Sequence, residues 1–132
     1  MRKILVLGLI LVCGVCFGQT NILKIKSKIN LCFNTYSVKS KNQIYLNSKE
    51  QILDINDDQI PLNEVVIKYE SDPRTVKGLK REGLVVFECK QDCISNKGNY
   101  FLSIGYAFKN KKGAYEAIEL INELKKELES NY

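Results

Sequence analysis

The chain has 132 residues, no histidine and a formal net charge of +5. Apolar residues make up 45% and charged residues 27%, enough apolar side chain for one packed core and too little uniform charge for a disordered chain. That composition excludes a collagen-like repeat and a polytopic membrane protein, and a chain of this length holds one domain, not two.

The start of the chain reads as an export signal. Arg2 and Lys3 precede an apolar run over residues 4–17, which ends at the small residue Gly18. That run is short of the ~20 residues a bilayer span needs. Cleavage after Gly18 is expected, which makes 1–18 a signal peptide and 19–132 one α+β domain. Arg2 and Lys3 then leave with the signal, and the charge that remains is too small to imply an acidic partner. Lipidation at Cys13 or Cys16 is the weaker alternative, because Val12 and Val15 stand where a small residue is wanted.

Export to an oxidising compartment, periplasmic or extracellular, makes the cysteine count informative. Cys32, Cys89 and Cys93 remain after cleavage, so one thiol is left over whatever bridge forms. Cys89 and Cys93 flank the polar Lys90-Gln91-Asp92 and are the candidate pair. Two other readings stand beside a structural bridge: a pair of buried thiols, or redox or metal chemistry. A redox dithiol favours two intervening residues at a helix start, whereas here there are three after a strand-like segment. Zinc wants about four ligands and finds no imidazole. Cys32, between Leu31 and Phe33, reads as a buried thiol.

Ile22, Ile25, Ile29, Cys32, Phe33 and Tyr36 recur at helical spacing and predict an amphipathic helix over about 21–36. A strand through Ile29, Leu31 and Phe33 is the competing reading. Short strands are expected at 44–46, 51–55, 59–62 and 64–70, with a turn at Asn56-Asp57-Asp58. Pro61 argues for an edge position, since proline cannot donate to the ladder. Residues 71–83 read as one long polar connection carrying Arg74, Lys77, Lys80 and Arg81, the expected contact loop. Residues 84–89 form a further strand, and 95–99 a turn. A single half-buried strand is expected over 100–108, with Tyr100, Leu102, Ile104, Tyr106 and Phe108 on its heavy face. Asn110 then caps a helix whose stripe is Ala114, Ala117, Ile118, Ile121, Leu124 and Leu128.

The expected fold class is α+β: an antiparallel, bent sheet of about five to seven short strands, a C-terminal amphipathic helix packed on it, and an N-terminal helix. The strand at 84–89, the strand at 100–108 and the helix from Lys111 to Glu129 together resemble the last part of a pleckstrin-homology-like domain in a small secreted bacterial-type protein. That resemblance covers about a third of the chain. It implies a helix closing one end of a bent sheet, and binding of lipid, peptide or protein in place of catalysis.

The lack of histidine excludes mechanisms that need an imidazole base, and the scattered glycines build no phosphate loop. Asp54, Asn56 and Asp58 have the spacing that opens a calcium loop, but Gln59 and Val65 occupy the positions that need glycine and a bidentate acid. The basic run in 71–83 has no interleaved aromatics, so nucleic acid is not an expected partner. The leading expectation is a non-catalytic, exported binding module for a protein or small ligand, with no cofactor, no metal and no membrane span after signal removal. The alternatives are a small envelope hydrolase and an anionic-surface binder acting through the lysine-rich segments.

Overall fold

The computed structural model describes residues 20–71, 75–76 and 79–131. Residues 1–18, where an export signal is expected, lie outside the described residues, as do Arg74 and Lys77 of the expected contact loop. Helix α1 covers residues 20–36. Among the described residues ten strands follow: β1 (Ile44–Asn47), β2 (Ile52–Ile55), β3 (Asp58–Pro61), β4 (Val65–Ser71), β5 (Thr75–Val76), β6 (Leu79–Lys80), β7 (Gly83–Cys89), β8 (Ile94–Asn96), β9 (Asn99–Phe101) and β10 (Ser103–Phe108). Helix α2 (Lys111–Asn131) closes the described chain.

The helical reading of the first segment holds because consecutive residues Cys32 and Phe33 are both buried while Leu31 is 68% exposed. A strand would send Cys32 and Phe33 to opposite faces. Ile22, Ile25, Ile29, Cys32 and Phe33 all enter the core. The Phe33 ring meets Tyr106 and Phe108 edge-on, with centroids 5.7 and 5.1 Å away. After α1 the chain is tied to β10: Val38 N–H donates to the Ala107 carbonyl at 2.8 Å, and Lys109 N–H to that of Tyr36 at 2.7 Å.

Eight strands form two antiparallel sheets, ordered β1-β2-β3-β8-β9 and β10-β7-β4; β5 and β6 pair separately as a two-stranded ribbon. The chain passes between the sheets after β3, after β7 and after β9. Two tight turns set the registers of the five-stranded sheet. Asn56 and Asp57 at φ 52° and 72°, and Lys97 and Gly98 at φ 50° and 84°, are two-residue loops with both residues left-handed, the turn that matches strand twist. Asp54 Oδ1 accepts the Asp57 N–H at 3.0 Å and stiffens the first.

Four local expectations need correction. Residues 71–83 are not one connection: among the described residues β4 reaches Ser71, β5 and β6 pair with each other, and β7 begins at Gly83. β3 is internal to its sheet, not an edge. It pairs with β8 only at Gln59↔Ser95, so Pro61 lies beyond the region where a second partner would demand its missing N–H. The turn at 95–99 is narrower than expected, with β8 and β9 forming its arms. The strand expected over 100–108 is broken at Leu102, where the chain leaves one sheet for the other. Ile104, Tyr106 and Phe108 remain packed on the core, but Tyr100 and Leu102 are 65% and 49% exposed.

Helix α2 packs on β4, β7 and β10 through Ala114, Ala117, Ile121, Leu124 and Leu128. Asn110 caps it as expected: its Oδ1 accepts the Gly113 N–H at 2.6 Å. The first turn carries Lys111 and Lys112 and no acid, so the negative charge favoured there comes from across the fold. Glu82 Oε2 accepts the Lys111 N–H at 3.2 Å.

Candidate functional site

Cys89 and Cys93 are joined in a disulfide, with Cα atoms 5.9 Å apart. Cys89 ends β7 and Cys93 immediately precedes β8, so the bridge closes the passage from the three-stranded to the five-stranded sheet. Its two half-cystines also hold the return passage: Cys89 N–H donates to the Leu102 carbonyl at 2.8 Å, and Cys93 N–H to the Phe101 carbonyl at 3.2 Å. The segment held in this way presents Tyr100, Phe101 and Leu102, of which Phe101 is 44% exposed. Three consecutive apolar side chains therefore face water on a braced corner.

Cross-strand partners share a sheet face, and the registers assign Tyr100 and Phe101. Phe101 pairs with the fully buried Ile94, and Asn99 with Asn96, so Phe101, Asn96 and Asn99 lie on the inner face where the sheet runs past the core. Tyr100 lies on the other face. There the pairs Tyr45↔Asp54, Asp54↔Gln59, Gln59↔Ser95 and Ser95↔Tyr100 make a polar row with an exposed tyrosine at each end.

Beside Phe101 is a cavity of about 320 Å³ lined by Asp58, Asn96, Lys97, Asn99, Phe101, Ser103 and Ile104. Asp58 is its fixed point. Oδ1 accepts from the Asn96 side-chain amide at 2.7 Å, and Oδ2 from the Tyr106 hydroxyl at 2.8 Å. Burial first, and the Asp58 charge next, push the Tyr106 phenol well above its ordinary range, so it stays a donor to that carboxylate.

Asp58 and Tyr106 also line a larger cleft of about 490 Å³, with Arg81, Asn42, Asn56 and Ser37 among its walls. Its amides are committed to joining elements. Asn42 Nδ2 donates to Ser37 Oγ and the Lys39 carbonyl, each at 2.9 Å, and Asn56 Nδ2 donates to Asn42 Oδ1 at 2.9 Å. Of the expected contact loop, Arg81 reaches this cleft, while Lys80 is placed by its backbone in β6. Asp54, Asn56 and Asp58 do not converge. Asp54 and Asn56 serve the β2–β3 turn and its neighbours, and among the described residues no cluster of metal-ligating side chains occurs.

Cys32 is buried, unbridged, and held by its Sγ donating to the Gly113 carbonyl at 3.5 Å. Burial first, and the Glu116 charge second, push its thiol up to about 12. A reactive thiol is the opposite case. Among the described residues no helix is long and apolar enough to cross a membrane.

Sequence reasoning missed the corner. Tyr100, Phe101 and Leu102 read as part of a long amphipathic strand, and only the turn at Asn96-Lys97-Gly98-Asn99 signalled that pairing begins again just before them. The fold and site define a disulfide-braced α+β module with an exposed apolar corner and a polar cavity beside it. Compared with known proteins, the chain matches no family model, no curated protein and no solved structure.

Proposed function

We propose that this protein is an exported, non-catalytic binding module whose contact surface is the corner at Tyr100, Phe101 and Leu102. One observation carries the reading: both half-cystines donate main-chain hydrogen bonds to consecutive carbonyls of an exposed apolar segment. A bridge that closes so short a loop contributes little chain entropy. Its geometric effect is to fix side chains that the core does not need. Rigid exposed aromatics lose little freedom on binding, which favours contact surfaces of this kind.

Export is supported by the basic start, the apolar run and the small residue at Gly18, and by a disulfide that suits an oxidising compartment. The pleckstrin-homology-like relationship also belongs to this proposal, supported by α2 lying against β4 and β7. The non-catalytic reading draws on the cavity's chemistry: both oxygens of the Asp58 carboxylate already accept a hydrogen bond, from Tyr106 and from Asn96, which suits a fixed contact group.

The test passes the oxidised protein over immobilised envelope material from producing cells, separated into protein, glycan and lipid fractions. Retention by one fraction is expected, with loss on Phe101→Ser/Leu102→Ser. Equal retention of that variant, or retention by none of the fractions, rejects the corner as the contact surface.

A further inference from the structure

From the cavity beside Phe101 we infer that the ligand class is a neutral glycan, bound by one sugar residue between the Phe101 ring and the Asp58 carboxylate. This rests on the reading of the corner as the contact surface and names what it contacts.

A sugar ring is amphipathic, with C–H groups on its faces and hydroxyls around its edge. The cavity has both halves of the complement. Phe101 and Ile104 supply apolar surface, while Asp58, Asn96, Asn99 and Ser103 supply donors and acceptors around it. A site of this composition fixes orientation through a few placed polar groups against an apolar wall.

Asp58 is the preorganised acceptor. Each of its oxygens already takes one hydrogen bond, from Asn96 and from Tyr106, and each has a second lone-pair site for a ligand hydroxyl. Those two donors hold the carboxylate in place before a ligand arrives. Asn96 and Asn99 face the same way from paired positions on β8 and β9, and an amide can both donate to and accept from a hydroxyl.

Charge selects a neutral ligand. The cavity wall holds one cation, Lys97, and one anion, Asp58. A phosphate or carboxylate ligand would be brought against the fixed Asp58 charge. An apolar ligand would take water from that carboxylate and offer no further donor to the lone-pair sites that Asn96 and Tyr106 leave open.

The test is a titration of the full oxidised protein with cellobiose, maltose and diacetylchitobiose, followed by proton–nitrogen NMR, with glycerol as the control. At least one disaccharide is expected to shift the amides of residues 96–104 saturably, with a Kd of about 1 mM. Phe101→Ala, a change at an exposed side chain, is expected to weaken that binding about tenfold. Tyr45→Ala, far along the opposite face, is expected to bind as the parent does. Asp58→Asn serves as a second variant and is also expected to bind more weakly.

The inference is overturned if none of the three disaccharides saturates these shifts, or if Phe101→Ala binds as tightly as the parent. Retention by an envelope protein or lipid fraction through Phe101 and Leu102, with no sugar response, overturns the glycan assignment and leaves the contact corner standing.

Discussion

The main-chain N–H of Cys89 donates to the carbonyl of Leu102 at 2.8 Å, joining the end of β7 to the point where the chain crosses between sheets. The disulfide places Cys93 to make the matching bond to Phe101. Removing the bridge with Cys89→Ala/Cys93→Ala should leave the fold intact and lower stability by less than about 3 kcal/mol, since the closed loop is short. Hydrogen exchange is expected to speed up at residues 89 and 93 far more than in α2. Uniform loss of protection across the protein would show instead that the bridge supports the global fold.

What the sequence made legible was whatever rests on a local pattern. The α2 stripe, the Asn110 cap, the turn at Asn56–Asp57 and the α1 face each depend on residues within a few positions of one another. The corner depends on pairings across the fold. Nothing near Tyr100 says that the carbonyls of Phe101 and Leu102 are taken by Cys93 and Cys89, so alternation alone continued the strand through Leu102. Asp58 illustrates the same limit. Its neighbours suggested a turn or a failed calcium loop, whereas its partners Asn96 and Tyr106 lie 38 and 48 residues away.

Gly113 of α2 lies close against Tyr36 at the end of α1. A Cβ built there would stand 2.5 Å from Cβ of Tyr36 and 2.7 Å from its Cγ. In an open helix, Gly→Ala stabilises by about 1 kcal/mol. Here the obstructing atoms belong to the root of a side chain, which cannot swing aside, and overpacking of this kind costs about 1–3 kcal/mol. Gly113→Ala is therefore expected to lower the urea midpoint, and to lower it less in a Tyr36→Gly background, which removes the obstructing Cβ. A rise in the midpoint of the single variant would mean that α1 yields at this contact.

Tyr106→Phe removes one of the two donors that hold Asp58 and leaves the ring in place against Phe33 and Phe87. The loss is expected to be about 1.5–3 kcal/mol, the range for a hydrogen bond to a charged group. Asp58→Asn removes the charge that Tyr106 and Asn96 were oriented to meet. Combined with Tyr106→Phe, it should cost less than the sum of the two single changes. Denaturant unfolding of the four proteins measures this, and strict additivity would show that the two groups stabilise the fold independently.

Cys32 gives the protein a dependence on alkaline pH that can be isolated by mutation. Its folded thiol is pushed up to about 12 by burial and by Glu116, while the unfolded thiol titrates in the ordinary range. Below that range both states hold the proton, and the full stability is present. As pH rises through the ordinary range the unfolded state releases its proton and the folded state does not. Stability then falls, and continues to fall until the folded thiol itself ionises. The urea midpoint of the parent should therefore drop more steeply than that of Cys32→Ala between about pH 8 and about pH 10.5. Subtracting the variant removes the contribution of lysines and tyrosines common to both. In the same buffers, iodoacetamide should leave the native oxidised protein unmodified at Cys32 and add one group there after unfolding. Parallel midpoint curves, or ready alkylation of the native protein, would show a thiol open to water instead of one sealed between α1 and α2.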